Sequence, residues 1–183
     1  MIDGITMLEL IKSRQSDRKY SDKSIEKEKL ERIIEAGRMA PSACNAQPWK
    51  FIVVDNPELT AKLAEAASAK LLGMNGFAGQ APAMIIVVRE QANFSSRVGA
   101  TLKNKDYSLI DIGIASENIC LQAEAEGIGS CMLGWFDESM VRKILDIPRS
   151  KRVELIITLG YPTGEKREKK RKPQEDTISY NKY

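Results

Sequence analysis

The chain contains no histidine. That absence excludes a Ser-His-Asp triad, a Cys-His nucleophile pair and a histidine-based zinc site. Any chemistry must come from carboxylates, lysines and cysteines, or from a bound cofactor. Cysteine is scarce too. Cys44, Cys120 and Cys131 are odd in number and widely spaced. They fit neither a disulfide framework nor a zinc site, so buried or half-buried reduced thiols are expected. No apolar run approaches the roughly 18 residues of a membrane helix. The opening MIDGITMLELIKSR lacks a basic stretch followed by a long apolar core. No signal peptide is therefore expected, and the cytoplasm is the expected location. Excess charge of one sign is missing as well: a net +3 points by itself to neither nucleic acid nor a membrane surface.

What is present is an ordinary globular composition. With 183 residues, 43% of them hydrophobic, the chain can build one domain with a real core and is too short to expect two. Asp3 can cap a first helix that places Ile5, Leu8 and Ile11 on one face and ends near Ser13. The polar stretch SRQSDRKYSDKS reads as a loop. Ser24 caps a second helix, with Leu30, Ile33, Ile34 and Gly37 inward, that Pro41 ends. WKFIVVD is a strand. Asn56, Pro57 and Glu58 open a third helix. GMNGFAGQAP is a glycine-rich loop, and AMIIVV a strand buried on both faces. Residues 89–106 show no period and read as a flexible excursion or a lid. YSLIDIGIASENICLQAEAEG is a helix apolar on more than one side, which predicts that a partner subunit covers one face. SCMLGWF is a strand, Asp137 caps a short helix through Leu145, and RVELIITLGYP is a last strand. The order is ααβαβαβαβ, a mixed α/β or α+β domain. Residues 163–183 hold too little apolar content to form a core element.

Four stretches carry candidate chemistry. GIGSCMLG invites a dinucleotide reading, but a helix precedes it and a strand follows, the reverse of the Rossmann order. Gly127 and Gly129 read instead as a helix C-cap. In SRQSDRKY, Arg14, Ser16 and Arg18 alternate, so in an extended segment they share one side. Two guanidiniums and a hydroxyl suit a phosphate, although a solvated basic loop is the other reading. GEKREKKRK is a solvated tail or an electrostatic patch, without the aromatic interleaving of a base-stacking surface. If it folds back on SRQSDR, the two clusters close on one anion. PSACNAQP offers donors and acceptors on Asn45 and Gln47 in a chain stiffened by prolines. It suits a planar heterocycle, or is a loop that satisfies its own backbone.

Taken in order, SRQSDRKY, APSACNAQPW, DIGIASENICLQAEAEGIGSCMLGWF, and GYPTGE followed by KKRKP resemble the nitroreductase-like family of FMN-dependent NAD(P)H oxidoreductases. The resemblance spans almost the whole chain. It implies an α+β fold with a central mixed sheet flanked by helices. It further implies a single domain in an intertwined homodimer, with residues 163–183 as a C-terminal arm wrapping the partner and FMN at the subunit interface. By resemblance, Arg14 and Ser16 hold the FMN phosphate, Lys169 and Arg171 close that site, and Arg18 reaches the ribityl or the pyrimidine edge. Pro41, Ser42 and Ala43 of the other subunit line the ring, braced by Asn45 and Gln47. Asn75 touches the pyrimidine edge, and Leu133 and Gly134 offer a backbone amide to flavin N5 with Met132 beside them. Gln15 stands in the phosphate segment where a basic residue is common, which removes a charge. Tyr20 replaces the usual phenylalanine as a packing detail. Flavin N5 carries the chemistry and no side chain is catalytic. The implied reaction is ping-pong hydride transfer from NADH or NADPH to a nitroaromatic, quinone or similar small acceptor, with neither nucleic acid nor membrane as partner. A specialised flavin dehydrogenase or dehalogenase, and a non-catalytic FMN-binding protein, are the alternatives.

Overall fold

The computed structural model describes residues 4–68, 74–90 and 106–183. Among these residues the elements follow the order ααβαβαβαβ, as the pattern predicts. They are α1 (Gly4–Ser13), α2 (Lys27–Arg38), β1 (Trp49–Val54), α3 (Pro57–Ala67), β2 (Ala83–Arg89), α4 (Tyr107–Ala125), β3 (Gly129–Leu133), α5 (Glu138–Ile144) and β4 (Arg152–Gly160). The predicted cap Asp3 lies outside the described residues, as do residues 91–105 of the expected excursion. No described helix is long and apolar enough to cross a membrane.

The strands form one sheet in the order β1-β2-β4-β3, every neighbouring pair antiparallel. Among the described residues, a parallel pairing enters at the isolated bridge between Ser16 and Ser130. Central β2 splits its side chains by alternation. Met84, Ile86 and Val88 join the core under α3 and α5, which supply Leu63 and Val141. Ala83, Ile85 and Val87 join the core under α2 and α4, which supply Ile33, Ala115 and Ile119. The β2 residues from Met84 to Val87 are wholly enclosed, each large side chain contributing about 1.5–3 kcal/mol. Helices on both faces explain why AMIIVV reads as a continuous apolar run although its partners are antiparallel.

Local signals account for the helix ends. Asn56 accepts from the N–H groups of Glu58 and Leu59 to start α3, and Asp137 accepts from Met140 N–H to start α5. Gly127, at φ 72°, closes α4 in a Schellman arrangement, with Ile128 N–H donating to Ala123 C=O at 2.8 Å. Gly129 is not part of that cap. It opens β3, and a Cβ there would meet Asp17 Oδ2 at 2.8 Å. Gly37 lets α2 approach α4, since a Cβ would lie 2.6 Å from Ile119 Cγ1.

One expectation is corrected. Ser24 is not the α2 cap: the chain stays extended through Glu26, and the helix starts at Lys27 without a side-chain cap. Lys23 and the Tyr161 hydroxyl both bond the Glu26 carboxylate, which holds the chain open there. The α1 stripe of Ile5, Leu8 and Ile11 is exposed: no α1 residue is buried and Ile5 is 74% exposed.

Candidate functional site

Residues 14–20 run extended beside edge strand β3. The Ser16–Ser130 bridge and Asp17 N–H donating to Ser130 C=O at 2.9 Å hold them there. Extended backbone alternates sides. Gln15 and Asp17 therefore turn inward and are buried, while Arg14 and Ser16 stay half-buried and Arg18 exposed. Tyr20 ends the segment in the core. Its hydroxyl donates to Asp17 C=O at 2.7 Å and lies 2.9 Å from Thr158 Oγ1. Burial pushes this phenol well above its ordinary range. Tyr20 thus does more than pack. It ties the site segment to β4 through an oxygen that phenylalanine lacks.

The C-terminal segment from Thr163 folds back over this stretch. Thr163 N–H donates to Lys19 C=O at 3.1 Å. Lys166 Nζ donates to Ser13 C=O at 3.1 Å and pairs with Glu124 at 2.6 Å. Arg167 N–H donates to Gln15 Oε1 at 3.0 Å, and its guanidinium donates to Ser16 C=O at 2.6 Å. Lys169 Nζ donates to Ile11 C=O. The two lysines thereby cover the carbonyl end of α1, where cations are favoured.

Between the two basic stretches lies a cavity of about 660 Å³, lined by Arg14, Gln15, Ser16 and Arg18 on one side and by residues 167–171 on the other. Arg14, Arg18, Arg167, Lys169, Lys170 and Arg171 face a single lining carboxylate, Glu168. Such a concentration of one sign calls for an anion. Partial burial and the neighbouring Arg14 and Arg171 hold the Lys169 ammonium below its usual range, a strain that a bound anion relieves. Arg14 Nε is buried and forms an ion pair with Glu117 Oε1 at 3.3 Å, without good hydrogen-bond geometry. Arg18 extends the site in another direction, its guanidinium 6.0 Å from the Phe77 ring centroid.

The stretch from Pro41 to Gln47 is an exposed turn built apart from this cavity. Cys44, Asn45 and Gln47 all take positive φ, at 52°, 50° and 46°. Each such residue costs about 1–2 kcal/mol, so the surroundings must hold the shape. Ser42 Oγ accepts from Gln47 N–H at 2.9 Å. Gln47 Nε2 donates to Asn45 Oδ1 at 3.1 Å, and Ala43 N–H reaches both oxygens of buried Asp111 on α4 at 3.2 Å. A turn strained in this way and braced from a core helix is rigid and open at once, as binding turns are.

At the end of β3, Met132 and Leu133 still pair with Ile157 and Ile156, and Gly134 stands just beyond the register. Asn75, itself at φ 59°, donates to Ala67 C=O at 3.2 Å and Trp135 C=O at 3.0 Å. It ties α3 to the chain after β3. The structure thus gathers Arg14, Gln15, Ser16, Arg18, Lys169 and Arg171 around one cavity. It keeps the Pro41–Gln47 turn and the Met132–Gly134 strand end as separate edges. Sequence reasoning passed over Arg167, Asp111 and Glu117. Arg167 was visible within the basic run, and Asp111 as the lone carboxylate in the apolar stretch DIGIAS.

The Nitroreductase family model matches residues 11–161. A protein of Archaeoglobus fulgidus with a provisional NADH dehydrogenase/NAD(P)H nitroreductase name is 38% identical, over 87% of each chain. A solved nitroreductase family protein from Clostridium novyi superposes with a TM-score of 0.75 at 34% identity, covering 86% of this chain and 85% of its own. A structure described as an FMN-dependent nitroreductase from Clostridium difficile gives a TM-score of 0.75 at 30% identity, covering 96% and 99%. This chain belongs to the nitroreductase family.

Proposed function

We propose that the chain, an FMN-dependent NAD(P)H oxidoreductase of the nitroreductase family, passes hydride in a ping-pong cycle to a nitroaromatic, quinone or similar small acceptor in the cytoplasm. The observation that carries this reading is the cavity where two basic stretches bring Arg14, Arg18, Arg167, Lys169, Lys170 and Arg171 together with one lining carboxylate, Glu168. A phosphate monoester fits that donor set, since guanidiniums bind it bidentately and the ammonium groups add charge. FMN, when bound, supplies the hydride-transfer chemistry at its N5.

The chain's own groups bind and orient. Arg14, Ser16, Lys169 and Arg171, with Arg167, hold the phosphate. Arg18 reaches the ribityl or pyrimidine edge and places positive charge where the reduced ring gains negative charge. Leu133 and Gly134 offer a backbone amide beside N5, and Met132 shapes that edge. Pro41, Ser42 and Ala43 line the ring from a second subunit, held by Asn45, Gln47 and Asp111. Both Asn75 N–H donors are spent on backbone carbonyls, so its role is to hold the loop near the pyrimidine edge.

A homodimer supplies that second turn. Leu109, Ile110 and Ile114 leave an apolar face on α4 open, and Ile5 and Leu8 leave another on α1. Residues 163–183 form the arm that wraps the partner, with 163–171 also lying against their own chain and 172–183 exposed throughout.

Titration of the chain with FMN, followed by flavin fluorescence, tests the reading. Arg14→Ala is expected to weaken FMN binding by about 1.5–3 kcal/mol, the range for a charged hydrogen bond. Unchanged affinity removes the phosphate assignment. Reductive dehalogenation is a second reading of the acceptor. It is favoured by a relative from Haliscomenobacter hydrossis named iodotyrosine deiodinase, 26% identical over 81% of this chain and 76% of its own.

A further inference from the structure

We infer that Gln15 is a positioning residue, whose amide sets the register of the C-terminal segment so that its cations face Arg14 and Ser16. The inference rests on the proposed phosphate reading of the cavity. Gln15 stands between two phosphate-binding candidates, yet its side chain turns away from them and is 9% exposed. Nε2 donates to Asp17 Oδ1 at 2.7 Å and to Glu165 C=O at 3.3 Å, and Oε1 accepts from Arg167 N–H at 3.0 Å. One amide therefore grips the tail on both sides of Lys166.

Its orientation is fixed by chemistry. A carboxylate only accepts and a backbone N–H only donates. Asp17 must face Nε2, which aims Oε1 at Arg167. Asp17 is itself 4% exposed and sits where Gly129 has no side chain to obstruct it. Between Lys166 and Lys172, six of seven residues are basic and one is Glu168. A stretch so charged repels itself and repels Arg14 and Arg18. The Gln15 amide holds it there beside the Lys166–Glu124 pair and the lysine contacts to the α1 carbonyls. A basic residue at position 15 could not accept from Arg167 N–H. The neutral amide serves the placement of Arg167, Lys169 and Arg171 rather than the phosphate itself.

The test compares FMN with riboflavin, which lacks the phosphate, on the full-length chain. Gln15→Met keeps the volume and removes the three hydrogen bonds. It is expected to weaken FMN binding about tenfold, and to leave riboflavin binding within about twofold, since only the tail cations move. The same variant without any flavin is expected to be cut faster by trypsin between Lys166 and Lys172. If the single variant does not fold, Gln15→Met with Asp17→Leu, which leaves no orphaned carboxylate, carries the same comparison. Equal losses for both flavins, or unchanged FMN affinity and unchanged tryptic cleavage, overturn the inference. Wild-type binding of riboflavin as tight as FMN instead overturns the phosphate reading beneath it.

Discussion

Tyr20 shows how much one oxygen contributes to this site. Its hydroxyl joins the Asp17 carbonyl and Thr158 inside the core, where neither has water as an alternative. Tyr20→Phe is expected to lower unfolding stability by about 1–1.5 kcal/mol, the range for a lost buried hydrogen bond, measured by urea denaturation. FMN affinity should hardly change, because the hydroxyl faces away from the cavity lining. At this scale the sequence was informative wherever a role follows from neighbours in the chain. The alternation of Arg14, Ser16 and Arg18 could be read because extended backbone has a period of two. The partnership of Gln15 with Arg167 could not, since it joins residues 152 positions apart. The same holds for Asp111, whose partner Ala43 is 68 positions away.

Helices and strands came largely from hydrophobic period and from caps, which are local signals. The boundary that failed was set in part by a distant group: Tyr161, with the neighbouring Lys23, bonds Glu26, and α2 starts only at Lys27. Two predictions belong to elements. First, Arg32 donates to both oxygens of Glu126, at 2.6 and 2.8 Å, clamping α2 to the end of α4. Hydrogen bonding from Arg32 lowers the Glu126 carboxyl from about 4.5 to about 2. Its folded-state pKa is depressed, so the clamp's contribution is fully present above about pH 4.5 and is lost as pH falls toward about 2. Arg32→Gln should therefore flatten that part of the acid-unfolding curve and leave the region above pH 5 sloped as before. Second, Asp111→Ala removes the charged acceptor that holds Ala43. It is expected to cost about 1.5–3 kcal/mol of unfolding stability. It should also weaken FMN binding with no change in its salt dependence, because the turn carries no cation.

On the scale of the whole molecule, a chain of ordinary composition leaves large apolar residues uncovered on two helices. Ile110 is 54% exposed on α4 and Ile5 74% on α1. Isolated exposed side chains are unremarkable, but a stripe on the longest helix marks an interface. Ile110→Arg is expected to shift the protein from dimer toward monomer in sedimentation velocity and to release FMN with it. On the proposed dimer the partner supplies the Pro41–Ala43 wall, so the two losses are expected together. A helix apolar on several sides was the sequence signal for that open face, whereas the tail's folding back depended on contacts no local pattern encodes. The central claim is hydride transfer at a flavin held by the basic cavity. Anaerobic stopped-flow mixing of the FMN-loaded protein with NADH or NADPH tests it most directly, read at the visible flavin absorbance. Rapid bleaching by at least one of the two nucleotides, reversed when a quinone or nitroaromatic is added, is the expected result. A flavin that stays yellow with both nucleotides would contradict it.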